Sequence, residues 1–172
     1  MIFKSVDSIL EPDPRFANLC VIENGAARGM TLADHHAALA GISLADLVPE
    51  DVRAAFDRAR NATIYAFFDY DLFVVGEAQA FGALELALKR RLNGSGSASR
   101  GTLRKLVGRA RNAGVLPPLG SGANTFLDPI EALIELRNEL SHGTSDIHSP
   151  AMALHVMGTC AFWINHVCSS GL

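Results

Sequence analysis

Three residues near the end of one predicted helix could perform chemistry together. They are Arg137, Asn138 and His142, which supply a permanent cation, an amide and a titratable imidazole. Positions four residues apart on an α-helix project from nearly the same face, so Asn138 and His142 should be neighbours, and the long arginine side chain can converge on them. Arginine binds phosphate bidentately, and imidazole is the side chain whose ordinary pKa is closest to neutral pH. Such a set could cleave a phosphodiester by acid–base chemistry.

The helix that carries these residues has the best-defined start in the chain. Its first residues are Asp128-Pro129-Ile130-Glu131. They offer an N-cap carboxylate, a proline at the first helical position and a glutamate at the third, which is a capping-box arrangement. Gly143 should end the helix. The three candidate residues therefore fall in its last turns.

The string Leu136-Arg137-Asn138-Glu139-Leu140-Ser141-His142-Gly143 resembles the RxxxxH signature of the HEPN superfamily of all-helical domains, many of which are metal-independent endoribonucleases. A second similarity covers residues 78–92, which look like the helix that precedes the motif helix in HEPN proteins. Together the two similarities fall within residues 51–143. Residues 1–50 have no counterpart in this resemblance.

The resemblance implies RNA cleavage by attack of a ribose 2′-hydroxyl on the adjacent phosphorus, which leaves a cyclic phosphate and a free 5′-hydroxyl. His142 would be the general base or acid, Arg137 would hold the phosphate, and Asn138 would orient the imidazole or bind a phosphate oxygen. Neither a metal nor another cofactor is required. The resemblance also implies a homodimer whose motif helices face each other, and a toxin or defence role with an antitoxin protein as a possible partner.

Two other interpretations of these residues stay open. A non-catalytic nucleotide- or RNA-binding module would use Arg137 only for binding, and a structural or signalling protein would bury the motif at an interface. In either case Arg137 could pair with Glu135 or Glu139 on the surface, while His142 caps the last turn. Glu85 lies on an otherwise apolar helix face, so burial would require a partner, for which Arg137 is the candidate.

The net charge of −3 conceals a strong asymmetry. Residues 86–126 contain no acidic residue but eight basic ones, namely Lys89, Arg90, Arg91, Arg100, Arg104, Lys105, Arg109 and Arg111. A segment whose charged residues are all positive attracts polyanions such as nucleic acids. We predict that Arg90, Arg91, Arg104 and Lys105 bind RNA or nucleotide, although a solvated helix face has the same composition.

Composition indicates a globular protein. The chain has 172 residues, of which 49% are hydrophobic and 19% charged, so one well-buried domain is expected. Three cysteines without a CxxC pair argue against a disulfide framework or a zinc site and favour the cytoplasm. The N-terminal residues lack the pattern of a signal peptide. The apolar window 151–168 contains His155, Asn165 and His166, so we expect a core or interface helix and no membrane span.

Hydrophobic periodicity favours an all-α fold. Apolar residues recur at steps of three and four from 67 to 92, which predicts one long helix or two helices with a kink near residues 69–71. Further helices are expected at 31–39, at 102–112 and from Ser149-Pro150 onward, with a Gly/Ser-rich loop at 93–99. No period-two alternation is evident, so we expect no sheet. With the resemblance, this predicts an up-and-down HEPN-type bundle over 51–172, after an irregular N-terminal extension with short helices over 1–50.

Overall fold

The computed structural model describes residues 3–93, 101–119, 128–142 and 146–169. Within these ranges the chain is mostly helical, in agreement with the expected class. Six α-helices are present: α1 (Leu32–Ala40), α2 (Glu50–Tyr65), α3 (Leu72–Asn93), α4 (Leu103–Asn112), α5 (Pro129–Ser141) and α6 (Pro150–Ser169). Two 3₁₀ turns, Val6–Ser8 and Pro14–Asn18, and two strands precede them.

The expectation of no sheet is wrong for the N-terminal segment. Strand β1 (Cys20–Glu23) pairs antiparallel with β2 (Ala26–Gly29). The two residues between them, Asn24 and Gly25, have φ values of 52° and 81°, which is the left-handed backbone of a type I′ hairpin turn. The dipeptide Asn-Gly is a strong hairpin signal. The residues of the two strands, Cys20–Glu23 and Ala26–Gly29, do not alternate between apolar and polar types, so the period-two criterion does not detect them.

Helix α3 is the centre of the helical assembly, since α2, α4, α5 and α6 all contact it. Of the two alternatives that the sequence left open, the structure has two helices, because α2 ends at Tyr65 and α3 begins at Leu72. Apolar side chains from all six helices form one core, whose largest buried members include Phe56, Phe81, Leu88, Leu106, Ile134, Met157 and Ile164. The position of α3 allows its side chains to reach several other helices.

Helices α2 and α3 lie in close contact at Gly76 and Thr63. A Cβ atom on Gly76 would overlap Oγ1 of Thr63. That hydroxyl is confined, because Oγ1 lies 2.9 Å from the carbonyl oxygen of Ala59 and 3.1 Å from Sδ of Met157 on α6, so its single proton is shared between these two acceptors. Glycine is therefore required here for packing, and α2, α3 and α6 meet at this point.

The N-terminal segment packs onto the helices through an aromatic cluster. Phe16 contacts the rings of His35, Phe67, Tyr70 and Phe73. Residues from both sides of the predicted boundary at position 50 therefore share one small core. The division into 1–50 and 51–172 stays a prediction.

The helix starts agree closely with the sequence analysis. Thr31 caps α1, and Oδ1 of Asp128 accepts hydrogen bonds from the N–H groups of Ile130 and Glu131. The Glu131 carboxylate binds Arg111 at 2.7 Å and Arg104 at 3.1 Å instead of completing a capping box. Helix α4 ends as predicted, and Gly114 follows it with a φ of 69°. The predicted stop at Gly143 and the loop at 94–99 lie outside the described residues.

Helix α6 is long and apolar enough to cross a membrane by length and composition alone. In the structure, Val156, Met157, Ile164 and Val167 are buried in the protein core. A core helix of this kind passes the same test, so the finding is weak evidence for a membrane span.

Candidate functional site

Arg137 is held by a carboxylate from another helix. Its Nη2 atom lies 3.2 Å from Oε1 of Glu85 on α3. The two side chains are 29% and 16% exposed, so the pair is only partly open to water. Lys89 lies near the other oxygen of Glu85, at 3.8 Å. The structure thus brings together the pair that the sequence suggested, whereas Glu135, a possible alternative partner, binds Arg104.

His142 is the C-cap residue of α5. Its backbone N–H donates to the carbonyl of Asn138 at 3.0 Å, and its side chain is exposed. Asn138 is half-buried one turn earlier. Five residues separate Arg137 from His142, which corresponds to a rotation of about 140° around the helix axis. The two side chains therefore leave α5 from different faces.

A groove lies beside the last turns of α5. It is lined by Leu136, Glu139, Leu140, Asp146, Ile147, His148 and Met152. These residues come from α5, from the segment before α6 and from the start of α6. Among them His148 has the most unusual environment.

His148 binds a buried carboxylate. Its Nδ1 lies 2.9 Å from Oε2 and 3.1 Å from Oε1 of Glu77 on α3. Glu77 is 1% exposed. Burial raises the pKa of the Glu77 carboxyl, and the nearby His148 opposes that rise. Farther inside, burial raises the pKa of the Cys160 thiol, and the charge of Glu77 adds to this effect.

The sequence analysis missed this pair. Neither His148 nor Glu77 is among the candidate residues of the sequence analysis. The two residues lie 71 positions apart, and no local spacing connects them. A glutamate on a face of α3 that also carries Phe73, Ala80 and Leu84 was the available signal, since a buried carboxylate needs a partner.

The basic segment is largely neutralised within the molecule. Arg90 binds Asp51 at 2.6 Å, Arg104 binds Glu131 and Glu135, and Arg111 binds Asp128 at 2.8 Å. These acidic partners come from outside residues 86–126. The asymmetry seen along the sequence is therefore much smaller in three dimensions.

Helix α4 has an exposed face that carries basic side chains. Its buried side is formed by Leu103, Leu106, Val107 and Ala110, and the exposed side carries Arg104, Lys105 and Arg109. Arg91 is exposed near the end of α3, and Arg100 lies outside the described residues. Of the predicted binding residues, Lys105 and Arg104 therefore share a surface, whereas Arg90 is turned toward α2.

The apolar side chains of α6, for which we expected a core or an interface, are mostly buried inside the chain. Val156, Met157, Trp163, Ile164 and Val167 are buried, and Met152 and Phe162 are 52% and 60% exposed. The homodimer stays a prediction, with a smaller apolar surface on α6 than the sequence indicated.

Comparisons of the chain with protein-family models, with curated proteins and with solved structures found no match. The HEPN resemblance therefore depends on the two motif regions alone.

Proposed function

We propose that this protein is a metal-independent endoribonuclease of the HEPN type, which cleaves RNA by attack of the 2′-hydroxyl on the adjacent phosphorus. The observation that carries the proposal is the Arg137–Glu85 ion pair on the helix that ends at the exposed His142. It combines a partly buried, ion-paired cation with an exposed acid–base group.

The ion pair supports a phosphate-binding role for Arg137. A guanidinium has five N–H donors in a rigid plane, and Glu85 engages Nη2 of this plane. Among the described residues no other side chain forms an ion pair with Arg137. Because Glu85 contacts only Nη2, the other N–H donors of the Arg137 guanidinium could bind two phosphate oxygens. There they would stabilise the negative charge of the transition state.

The exposed position of His142 supports a role in proton transfer. An imidazole that must reach a ribose hydroxyl cannot be buried in the core, and His142 lies at the open end of α5. The basic face of α4 supplies a surface that attracts the polyanionic substrate. Homodimerisation and an antitoxin partner belong to the same proposal and are supported by the resemblance alone.

A cleavage assay tests the proposal. Purified protein is incubated with a mixed-sequence RNA in excess EDTA, and the product ends are identified. We expect cleavage with 2′,3′-cyclic phosphate and 5′-hydroxyl ends, and a loss of about 10²- to 10⁴-fold in the His142→Ala variant. His36→Ala is the matched control, since His36 is also an exposed histidine but belongs to α1. A strict requirement for Mg²⁺, or full activity of His142→Ala, would contradict the mechanism.

A non-catalytic RNA- or nucleotide-binding module is the second candidate. The specific observation in its favour is the basic face of α4, which exists whether or not His142 takes part in chemistry. RNA binding without any cleavage would favour this candidate.

A further inference from the structure

An apolar cavity lies where the N-terminal segment meets the corner between α2 and α3. Its volume is about 570 Å³. Six of its lining residues are apolar or aromatic, namely Phe3, Ile9, Leu10, Tyr65, Phe68 and Leu72. A concave site with such a lining is the usual form of a binding site. We call it the N-terminal cavity.

One wall of the N-terminal cavity belongs to the first residues of the described chain, which hydrogen bonds hold together. Nζ of Lys4 donates to the carbonyl groups of Ser8 at 3.4 Å and of Glu11 at 3.1 Å. Asp13 joins this segment to the corner between the helices, since its N–H donates to the carbonyl of Phe67 at 2.9 Å. The wall is therefore a folded part of the protein, and its side chains have a defined arrangement.

The apolar side chains around the cavity are open to solvent. Phe3 is 100% exposed, Leu10 70% and Ile9 55%, and Tyr65 on the other wall is 57% exposed. A cluster of exposed apolar side chains with a polar rim marks an interaction site. A small molecule inside the cavity would leave most of Phe3 and Leu10 in water. The occupant should therefore have a surface that extends beyond the cavity.

The charges around the cavity are mainly negative. Asp69 lines it, and Asp7 and Glu11 belong to the N-terminal wall, where both are exposed. Among the described residues, none of these three carboxylates forms an ion pair. Lys4 is the basic residue of the lining, and backbone carbonyls already bind its ammonium group. The rim should therefore attract positive charge and repel negative charge.

This combination of apolar surface and negative rim selects among the possible occupants. RNA and anionic lipid carry phosphates, which the carboxylates would repel. A second copy of the chain would bring the same three carboxylates against them. Helix α4 of this chain is amphipathic and basic, but its apolar side is buried in the protein core. An occupant with apolar anchors and basic flanks fits both properties of the site.

We propose that the N-terminal cavity binds an amphipathic, basic helix of a different protein. An amphipathic helix presents its apolar anchors along one face and its charged residues beside them. In the complex, the anchors would cover Phe3 and Leu10, and lysine or arginine side chains would lie near Asp7, Glu11 and Asp69. This proposal does not depend on RNA cleavage, so either can fail without the other.

The test uses two fluorescently labelled peptides of two heptads each. Both have leucine at the spacing of one helix face, and the other positions are lysine in one peptide and glutamate in the other. We expect the Leu/Lys peptide to bind at least about tenfold more tightly than the Leu/Glu peptide at low salt, and the difference to shrink as salt is added. Fluorescence anisotropy measures both affinities.

Two substitutions test whether the apolar surface is the binding surface. Leu10→Ser and Phe3→Ser each remove an exposed apolar side chain, so we expect the fold to be kept and the affinity for the Leu/Lys peptide to fall about tenfold. Phe162→Ser is the matched control, because Phe162 is 60% exposed on α6 and does not line the cavity. If Leu10→Ser does not fold, the fully exposed Phe3 gives the answer.

A third substitution tests the charge of the rim. Asp69→Asn keeps an oxygen that can accept the N–H of Asp71 but removes the negative charge. We expect weaker binding of the Leu/Lys peptide at low salt and a smaller effect of added salt. Glu139→Gln is the matched control, since Glu139 is an exposed carboxylate that does not line this cavity.

Several outcomes would overturn the proposal. They are the absence of binding to the Leu/Lys peptide, equal binding of the two peptides, and equal affinity of wild type and Leu10→Ser. Vesicles of phosphatidylcholine and phosphatidylglycerol, a single-stranded RNA and sedimentation of the protein alone test the other occupants. If the wild type binds the vesicles or the RNA, or forms a dimer, and Leu10→Ser does not, the cavity belongs to that occupant and the proposal is wrong.

Discussion

Glu85 on α3 and Arg137 on α5 form an ion pair of 3.2 Å at a place where both side chains are partly shielded from water. The pair ties the motif helix to the central helix of the fold. In the proposed enzyme, its main effect is on the direction of the guanidinium, since a partly exposed ion pair contributes only about 0–1 kcal/mol to stability.

Arg137→Lys should therefore separate function from stability. Lysine keeps the charge but loses the planar fork, so we expect RNA cleavage to fall about 10²-fold or more, with unfolding free energy changed by less than about 1 kcal/mol. The measurements are kcat/KM and chemical denaturation. Arg53→Lys is the control, because Arg53, on α2, forms a loose surface pair with Asp46. Near-normal cleavage by Arg137→Lys would indicate an ordinary surface ion pair.

RNA binding should depend more on Lys105 than on Arg104. The Arg104 guanidinium already binds Glu131 and Glu135, so an RNA phosphate would have to compete with two carboxylates. We expect Lys105→Glu to weaken binding and to reduce the slope of log affinity against log salt by about one phosphate contact, and Arg104→Gln to have a smaller effect. Arg58→Glu, an equal charge change outside the basic segment, is the control. Identical slopes in all three variants would show that RNA does not contact α4.

Gly76→Ala should destabilise the fold. The added methyl group would overlap the Thr63 hydroxyl, which is held by Ala59 and Met157. Over-packing of this kind costs about 1–3 kcal/mol. Gly82→Ala is a matched control on the same helix, since nothing lies within 4 Å of its added Cβ. There, higher helix propensity should stabilise by about 0.5–1 kcal/mol. Denaturation of both variants checks the close approach, and a stabilised Gly76→Ala protein would refute it.

Local features of the fold could be predicted from the sequence because their causes are local. The caps at Thr31 and Asp128, the break between α2 and α3, and the start of α6 at Pro150 all follow from a few adjacent residues. The hairpin could have been predicted from the turn residues Asn24-Gly25. Its strands give no further signal, because their residues do not alternate between apolar and polar types.

The site depends on contacts that no local pattern encodes. Glu77 meets His148 over 71 positions, and Asp51 reaches Arg90 from another helix. Such pairs form only after helix packing has set which faces meet. The count of basic residues in 86–126 likewise overstated the positive charge of the surface. Three acidic residues from outside that segment, Glu131, Glu135 and Asp128, form ion pairs with its arginines.

The last prediction concerns acid sensitivity and His35. This side chain is 1% exposed, and its Nε2 lies 2.8 Å from the carbonyl oxygen of Thr63. Burial lowers the pKa of His35, and the nearby His36 adds to this, although the Thr63 carbonyl opposes it. In the unfolded chain a histidine titrates near pH ~6.5.

Below that pH the unfolded state binds a proton that the folded state does not, so the free energy of unfolding should decrease as pH falls from about 6.5 toward the lowered pKa of His35, by at most ~1.4 kcal/mol per pH unit. Asp13, whose pKa Arg15 holds below its usual range, loses its contribution only below about pH 4. Urea denaturation of wild type and His35→Gln between pH 5 and 7.5 isolates the histidine. We expect the slope to be shallower in the variant, and parallel curves would mean that His35 accepts its proton as readily in the folded protein.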